Sequence, residues 1–300
     1  MIYDTFLFFD ELDLLDARLH ELHEVVDKFV LVESTRTQSN LPKPLHFAAN
    51  KERFARFADK IVHIVVEDSP DTDVYWDIER FQRDCIQRGL KDCRPDDIVL
   101  MSDLDEIPRA EKVSQVVGGM RFKAGALANW WHTTLKSRFV VRAMRRRWKK
   151  HHPFVRVFEH RHYTYYLNWL CEDVRWAGTR VVFFRDWGAG RDLRRWGGAR
   201  VRDGGWHFTW MGDVKGILRK LEATVHQELH TTQNRDAQRL QQLLDATEKG
   251  RTINLFGRTA TFRRVEIDDT FPAFIRDNPQ LFRKWIKNPT PMETAEKAPA

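Results

Sequence analysis

The sequence predicts an α/β fold: a parallel, Rossmann-like sheet with a mixed, partly antiparallel C-terminal extension. Two observations carry this expectation. Up to Asp103, short apolar runs alternate with stretches of helical period, the pattern of βαβ units with crossover helices. Beyond Pro108 the alternation gives way to strand-like stretches at 120–128, 154–158, 163–169 and 179–185, which read as an antiparallel or mixed continuation.

Residues 2–9 form the first predicted strand. Leu12, Leu15, Leu19, Leu22 and Val26 recur at three- and four-residue steps, marking an amphipathic helix. A strand at 28–33 follows, then a polar loop with Pro42 and Pro44, a helix at 51–58 and a strand at 61–66. Next come a polar loop at 69–73, a helix across 75–90 and a strand ending at Asp103. Ile98, Val99, Leu100 and Met101 suit a strand buried on both faces. A short helix is expected at 110–117, a Gly- and Arg-rich mobile loop at 186–205, a strand in Gly205–Trp210 (GWHFTW), and helices at 215–229 and 235–249. We expect one domain over 1–288, with a basic insertion at 127–152 and a disordered tail at 289–300, which is poor in apolar residues.

A chain of 300 residues with 42% apolar and 31% charged residues describes a globular protein with a substantial core. No apolar run reaches the ~18 residues of a membrane span. The N-terminus carries acids where a secretory signal needs apolar residues. Three cysteines, Cys85, Cys93 and Cys171, show no metal-ligand spacing, which fits a reducing compartment. A cytoplasmic location is expected, peripheral to a membrane. The net charge of +7 is uneven: between Lys136 and Arg202, 18 Lys and Arg stand against 5 Asp and Glu. The stretch from Arg138 to His152, with Trp148 among its cations, is expected to contact an anionic membrane. A solvated basic face is the alternative.

The segment 96–108 reads DDIVLMSDLDEIP. Asp103, Asp105 and Glu106 at the end of a buried strand would repel one another, and a divalent cation relieves them by taking oxygen ligands. Ligands of open α/β sheets also bind beyond the carboxyl ends of the strands. Asp71 and Asp73 repeat the D-x-D spacing beside Ser69 and Pro70, an ordinary polar loop.

Five ordered blocks carry a family resemblance: YDTFLFFDELDLLDARLHEL, VVDKFVLVESTRTQSNLPKPLHF, FQRDCIQRGL, DDIVLMSDLDEIP and GGWHFTWMGD. Together they resemble glycosyltransferase family 17 over roughly residues 2–287. The resemblance implies a GT-A fold, a nucleotide-sugar donor such as UDP-GlcNAc, and transfer of N-acetylglucosamine in β-linkage, with inversion, to a glycan or lipid-linked saccharide.

Transfer from such a donor needs the departing diphosphate neutralised, which Mn²⁺ or Mg²⁺ on Asp103 and Asp105 can do. His207, between Trp206 and Trp210, is a candidate third ligand that tilts the choice towards Mn²⁺; a core histidine is its plain alternative. Inversion needs one general base, for which Glu106 and Glu228 are the candidates, with Glu172 and Asp173 a weaker option. A helix cap and a solvated helix residue are the structural alternatives for Glu106 and Glu228. For the donor pocket we expect Glu33 at the end of the second strand, Glu11 with Asp10 after the first, Asp103, and Arg83 as a bidentate donor to the diphosphate. Helix capping explains Glu11 equally well, and an ion pair with Glu79 explains Arg83. Two other functions would use the same features: a metal-dependent phosphoesterase or nuclease, and a basic nucleic-acid-binding protein. No second-metal cluster and no nucleic-acid module accompany them, so no nucleic acid is expected.

Overall fold

Strand β1 (Ile2–Phe8) lies between β2 (Lys28–Ser34) and β4 (Ile98–Met101), parallel to both, with β3 (Ile61–Val66) beyond β2. The strand order of this half is thus β3-β2-β1-β4. The computed structural model describes residues 1–134, 155–188 and 193–287, with backbone alone over 123–134. The basic stretch from Arg138 to His152 and the tail 289–300 lie outside the described residues, as does most of the insertion expected at 127–152.

The strands of the parallel half are apolar because both faces are covered. Phe29 and Leu31 of β2 join one buried cluster with Phe6, Leu15, Leu19 and Leu100. Val30 and Val32 face the other way, into a cluster with Val99, Met101 and Ile86. Helix α1 (Leu12–Leu22) packs its leucine stripe onto the first face. A short turn of helix, α2 (His46–Ala49), follows β2, and α3 (Tyr75–Asp84) precedes β4.

The rest of the sheet is mixed and curls. The long strand β7 (Trp169–Phe183) pairs antiparallel to β4 at one end and to β6 (Arg156–Thr164) along much of its length. Strand β6 runs parallel to β8 (Ala199–Thr209), and β8 receives the three-residue strand β5 (Glu106–Pro108). Among the described residues the sheet has ten strands. Pairing of β5 with β8 needs glycine at Gly205, where a Cβ would stand 2.1 Å from the Ile107 carbonyl oxygen.

Several expectations are corrected here. Residues 120–128 are not a strand but part of α4, which runs from Ala110 to Thr134. Val113, Val117 and Met120 are buried at helical spacing, while Gly118 and Gly119 border open space. The expected strands at 154–158 and 163–169 become β6, a turn at 165–168 and the start of β7. The turn pivots on Tyr165, at φ +70°. Residues 199–205, assigned to a mobile loop, already belong to β8 because they pair with β6. The helix at 215–229 ends as α5 (Val214–Ala223), and after a single helical turn at Thr232–Arg235 the next long helix is α6 (Ala237–Glu248). A final hairpin, β9 (Arg251–Ile253) with β10 (Thr259–Arg264), had not been foreseen; Phe262 of β10 pairs with Cys171 of β7.

Candidate active site

The carboxyl ends of β1 and β4 emerge side by side, since Thr5 is level with Met101. Strand order reverses between them, which is where crevices open in α/β sheets. Asp10 and Glu11 follow β1; Ser102 to Glu106 follow β4.

The acidic loop is held from behind by Arg18 of α1, which is fully buried. Its Nε and Nη2 donate to both oxygens of buried Asp4, at 2.7 and 2.6 Å, and Nη2 also reaches Ser102 Oγ at 2.6 Å. Nη1 donates to the carbonyls of Asp103, Leu104 and Glu106 at 3.0, 3.2 and 2.9 Å. One planar fork thus fixes the course of the loop backbone.

From the front the loop meets cations brought by other elements. Arg83 of α3 bonds Glu79 and also Asp103 Oδ1 at 2.9 Å, while its Nη1 is buried without a hydrogen-bond partner. Arg194, before β8, donates to Asp103 Oδ2 at 3.1 Å and clamps both oxygens of Glu106, one at 2.6 Å. The Trp176 indole N–H also donates to Glu106, whose other oxygen accepts the Asp103 backbone N–H at 3.1 Å. Burial pushes the Glu106 carboxyl up, yet Arg194 outweighs it and holds it well below the carboxylate range. The same balance, with Arg83 added, lowers Asp103. Asp105 differs. Burial raises its pKa more than Lys220, at 3.0 Å from Oδ2, can lower it.

His207 on β8 places Nε2 3.6 Å from Asp105 Oδ1. Its Nδ1 meets His162 Nδ1 at 2.9 Å, and His162 Nε2 meets Thr164 Oγ1 at 3.0 Å. Trp176 stacks on His207 with ring centroids 4.5 Å apart. Burial lowers the pKa of His207 to about 4 and that of His162 to about 3, so both imidazoles are neutral near pH 7. Nearby His160 is fully buried and lowered to about 3. Gly178 makes room for it, since a Cβ there would lie 2.6 Å from the ring. Among the described residues, no group of three or more His, Cys, Asp or Glu is placed to hold a metal ion.

Of the residues singled out in the sequence, Arg83, Asp103, Asp105, Glu106 and His207 thus come together. Glu11 borders a cavity of about 210 Å³ that Asp10, Arg219, Lys220 and Trp285 also line. Burial raises its carboxyl against the opposing charge of Lys220. Glu11 makes no side-chain cap of α1. Lys220 joins this cavity to Asp105. Glu33 is fully buried and accepts the N–H groups of Phe47 and Ala48, at 2.8 and 3.3 Å, at the start of α2, with His63 at 3.0 Å. Glu228 is exposed on a turn after α5 and bonds His226 Nδ1 at 2.6 Å. Glu172 pairs with Arg263, and Asp173 accepts the Thr261 N–H.

Sequence reasoning missed Arg18, Arg194, Lys220, His162 and Trp176. Arg18 lies unmarked inside the first of the five blocks, and Lys220 stands eight residues before Glu228. Nothing local in the Arg-rich 186–205 distinguishes Arg194 from Arg191 or Arg195.

Fold and site together define an α/β protein with a charged carboxylate loop at a strand-order reversal. Residues 1–119 match the family model of Glycosyltransferase family 17. The similar curated proteins are the beta-1,4-mannosyl-glycoprotein 4-beta-N-acetylglucosaminyltransferases of Homo sapiens and Rattus norvegicus, each 35% identical over 111 residues. The Mus musculus protein of that name is 34% identical over the same length. These alignments cover 34% of this chain and 21% of each relative. The resemblance drawn from the blocks holds for this N-terminal segment; the GGWHFTWMGD block lies beyond the residues matched.

Proposed function

We propose that the protein is a glycosyltransferase that binds a nucleotide-sugar donor at the carboxyl ends of β1 and β4 in a GT-A-like arrangement. The observation that carries this reading is the acidic loop, held by Arg18 at the strand-order reversal, inside the segment similar to N-acetylglucosaminyltransferases. UDP-GlcNAc is the proposed donor, a glycan or lipid-linked saccharide the acceptor, and a β-linked product of inversion the outcome.

The residues fit a divalent ion as an open site. Mg²⁺ and similar ions commonly take one or two protein carboxylates and complete their shell with phosphate oxygens and water. Asp105 Oδ1 and neutral His207 Nε2, 3.6 Å apart, would hold it, with Asp103, the most exposed of the three acids at 37% of its side chain, beside them. For Nε2 to offer its lone pair, His207 donates Nδ1–H to His162, whose Nε2–H then donates to Thr164. Bound there, Mn²⁺ or Mg²⁺ supplies neutralisation of the departing diphosphate.

The chain's own cations serve the same end. Arg83 has an unpartnered buried Nη1 beside Asp103, a donor left for a phosphate oxygen. Lys220 faces both the cavity and Asp105. Glu11 and Asp10 line the donor side, while Glu33 is taken up at the start of α2. Glu106, with donors on both oxygens, is better suited to fixing the loop than to taking a proton. Glu228 keeps an exposed carboxylate but is paired with His226, and among the described residues no contact brings it to the acidic loop.

A donor screen tests this reading. Release of UDP or GDP from a panel of nucleotide sugars, measured with and without Mn²⁺, is expected to select UDP-GlcNAc and to need the ion. Absence of nucleotide release from every donor would refute it.

A further inference from the structure

Three chain segments bring the rings of Trp76, His226 and Phe256 to one surface, with the buried Trp210 ring behind them. Trp76 of α3 stands edge-on to His226, with centroids 5.3 Å apart, and His226 stands edge-on to Phe256 at 5.7 Å. Phe256 reaches Trp210, beyond β8, at 6.5 Å. Trp76 and Phe256 are 42% and 45% exposed, an unusual cost for large apolar rings in a chain that buries Trp169 and Trp206. The row is not purely apolar. His226 carries the Glu228 carboxylate at 2.6 Å, so a charged acceptor stands among the rings. The row also leads to the site, because Lys220 lies over the Trp210 ring at 5.7 Å and bonds Asp105 at 3.0 Å.

We infer that the exposed rings of Trp76 and Phe256, with His226 and Glu228 between them, are a docking surface for the saccharide acceptor, backed by buried Trp210, over which Lys220 of the acidic-loop site lies. The inference rests on the transferase reading for its direction of approach. A pyranose ring has an apolar C–H face and a rim of hydroxyls; the first lies on exposed aromatic rings, the second donates to a carboxylate such as Glu228. Rings with one apolar face and a polar neighbour suit such amphipathic ligands. Continuity with the acidic loop favours the acceptor over an unrelated partner.

Direct binding separates this inference from catalysis. Saturation-transfer NMR and calorimetry with mannose-, N-acetylglucosamine- and galactose-terminated oligosaccharides should show one series binding the wild-type chain. Trp76→Ala and Phe256→Ala should each weaken that affinity about 10-fold, with melting temperature and UDP affinity unchanged. Equal saccharide affinity in the variants, or no saccharide binding by the wild type, overturns the inference even if donor turnover is found. Loss of a dimer in Trp76→Ala with saccharide affinity intact would overturn it too, because a second copy would then be the occupant. Saccharide binding that depends on both rings, without nucleotide release from any donor, would leave the surface standing and refute the transferase reading instead.

Discussion

In the parallel half, β1 to β4 bury aliphatic and aromatic runs on both faces and present the acidic loop at their carboxyl edge. In the antiparallel half, β6 to β8 and the segments around them bring Arg194, Trp176, His162, His207 and Lys220 to the same loop. One half fixes where the loop runs, through the Arg18 guanidinium on its backbone, and adds a single side-chain contact, Arg83 to Asp103. The other fixes its charge and protonation, through groups that touch side chains. The difference separates stability from chemistry, and substitutions in the two halves should have different signatures.

The largest effect is expected behind the loop. Arg18→Met leaves the Asp4 carboxylate buried and unpaired and removes the Arg18 hydrogen bonds to the carbonyls of Asp103, Leu104 and Glu106, a loss of about 3–5 kcal/mol. Denaturant unfolding measures it, and a loss under 1 kcal/mol would show that the loop does not depend on this contact.

Acid should act next, and on the antiparallel half. His160, His162 and His207 are held at about 3, 3 and 4, below the ordinary 6.5. The unfolded chain therefore binds these protons first. The stability this contributes is whole above pH 6.5 and is lost as pH falls towards 4 and then 3. Each unit of depression is worth about 1.4 kcal/mol, so a drop of about 2 kcal/mol or more is expected between pH 6.5 and 5. In His207→Gln the drop should be smaller; an identical pH profile would show that His207 is not among the responsible groups.

Lys220→Met removes a charged hydrogen bond to Asp105, worth about 1.5–3 kcal/mol, and leaves that carboxyl raised further. Its activity profile should shift to higher pH while Arg18 variants keep the wild-type profile on whatever fraction remains folded. The smallest effect is expected at Arg88, whose pair with Asp68 is exposed. Arg88→Ala should cost under ~1 kcal/mol, and a larger loss would show that the contrast between buried and exposed pairs is overdrawn.

The parallel half was legible because its signals are local. Strands buried on both faces leave continuous apolar runs, as Ile98–Met101 does, and the leucine stripe of α1 shows its period within the helix. The acidic loop stood out because charges follow such a run abruptly. The antiparallel half was harder. Strand β6 reads RVFEHRHYT, with histidines whose burial depends on β7 and β8 rather than on neighbours in sequence. Residues 120–128 carry apolar residues and no helix-stop signal, and only their packing through Val117 and Met120 distinguishes helix from strand. Glu33 looked like a ligand because it ends a strand; that its oxygens meet the start of α2 depends on the path of the loop containing Pro42 and Pro44.

The central claim is that the acidic loop handles the diphosphate of a nucleotide sugar, with Asp105 as its key carboxylate. Nucleotide release from UDP-GlcNAc, compared between the wild type and Asp105→Asn at matched Mn²⁺, tests this most directly. The account predicts release by the wild type and a fall of about 100-fold or more in the variant, with a melting temperature close to that of the wild type. Equal turnover by the two proteins would contradict it.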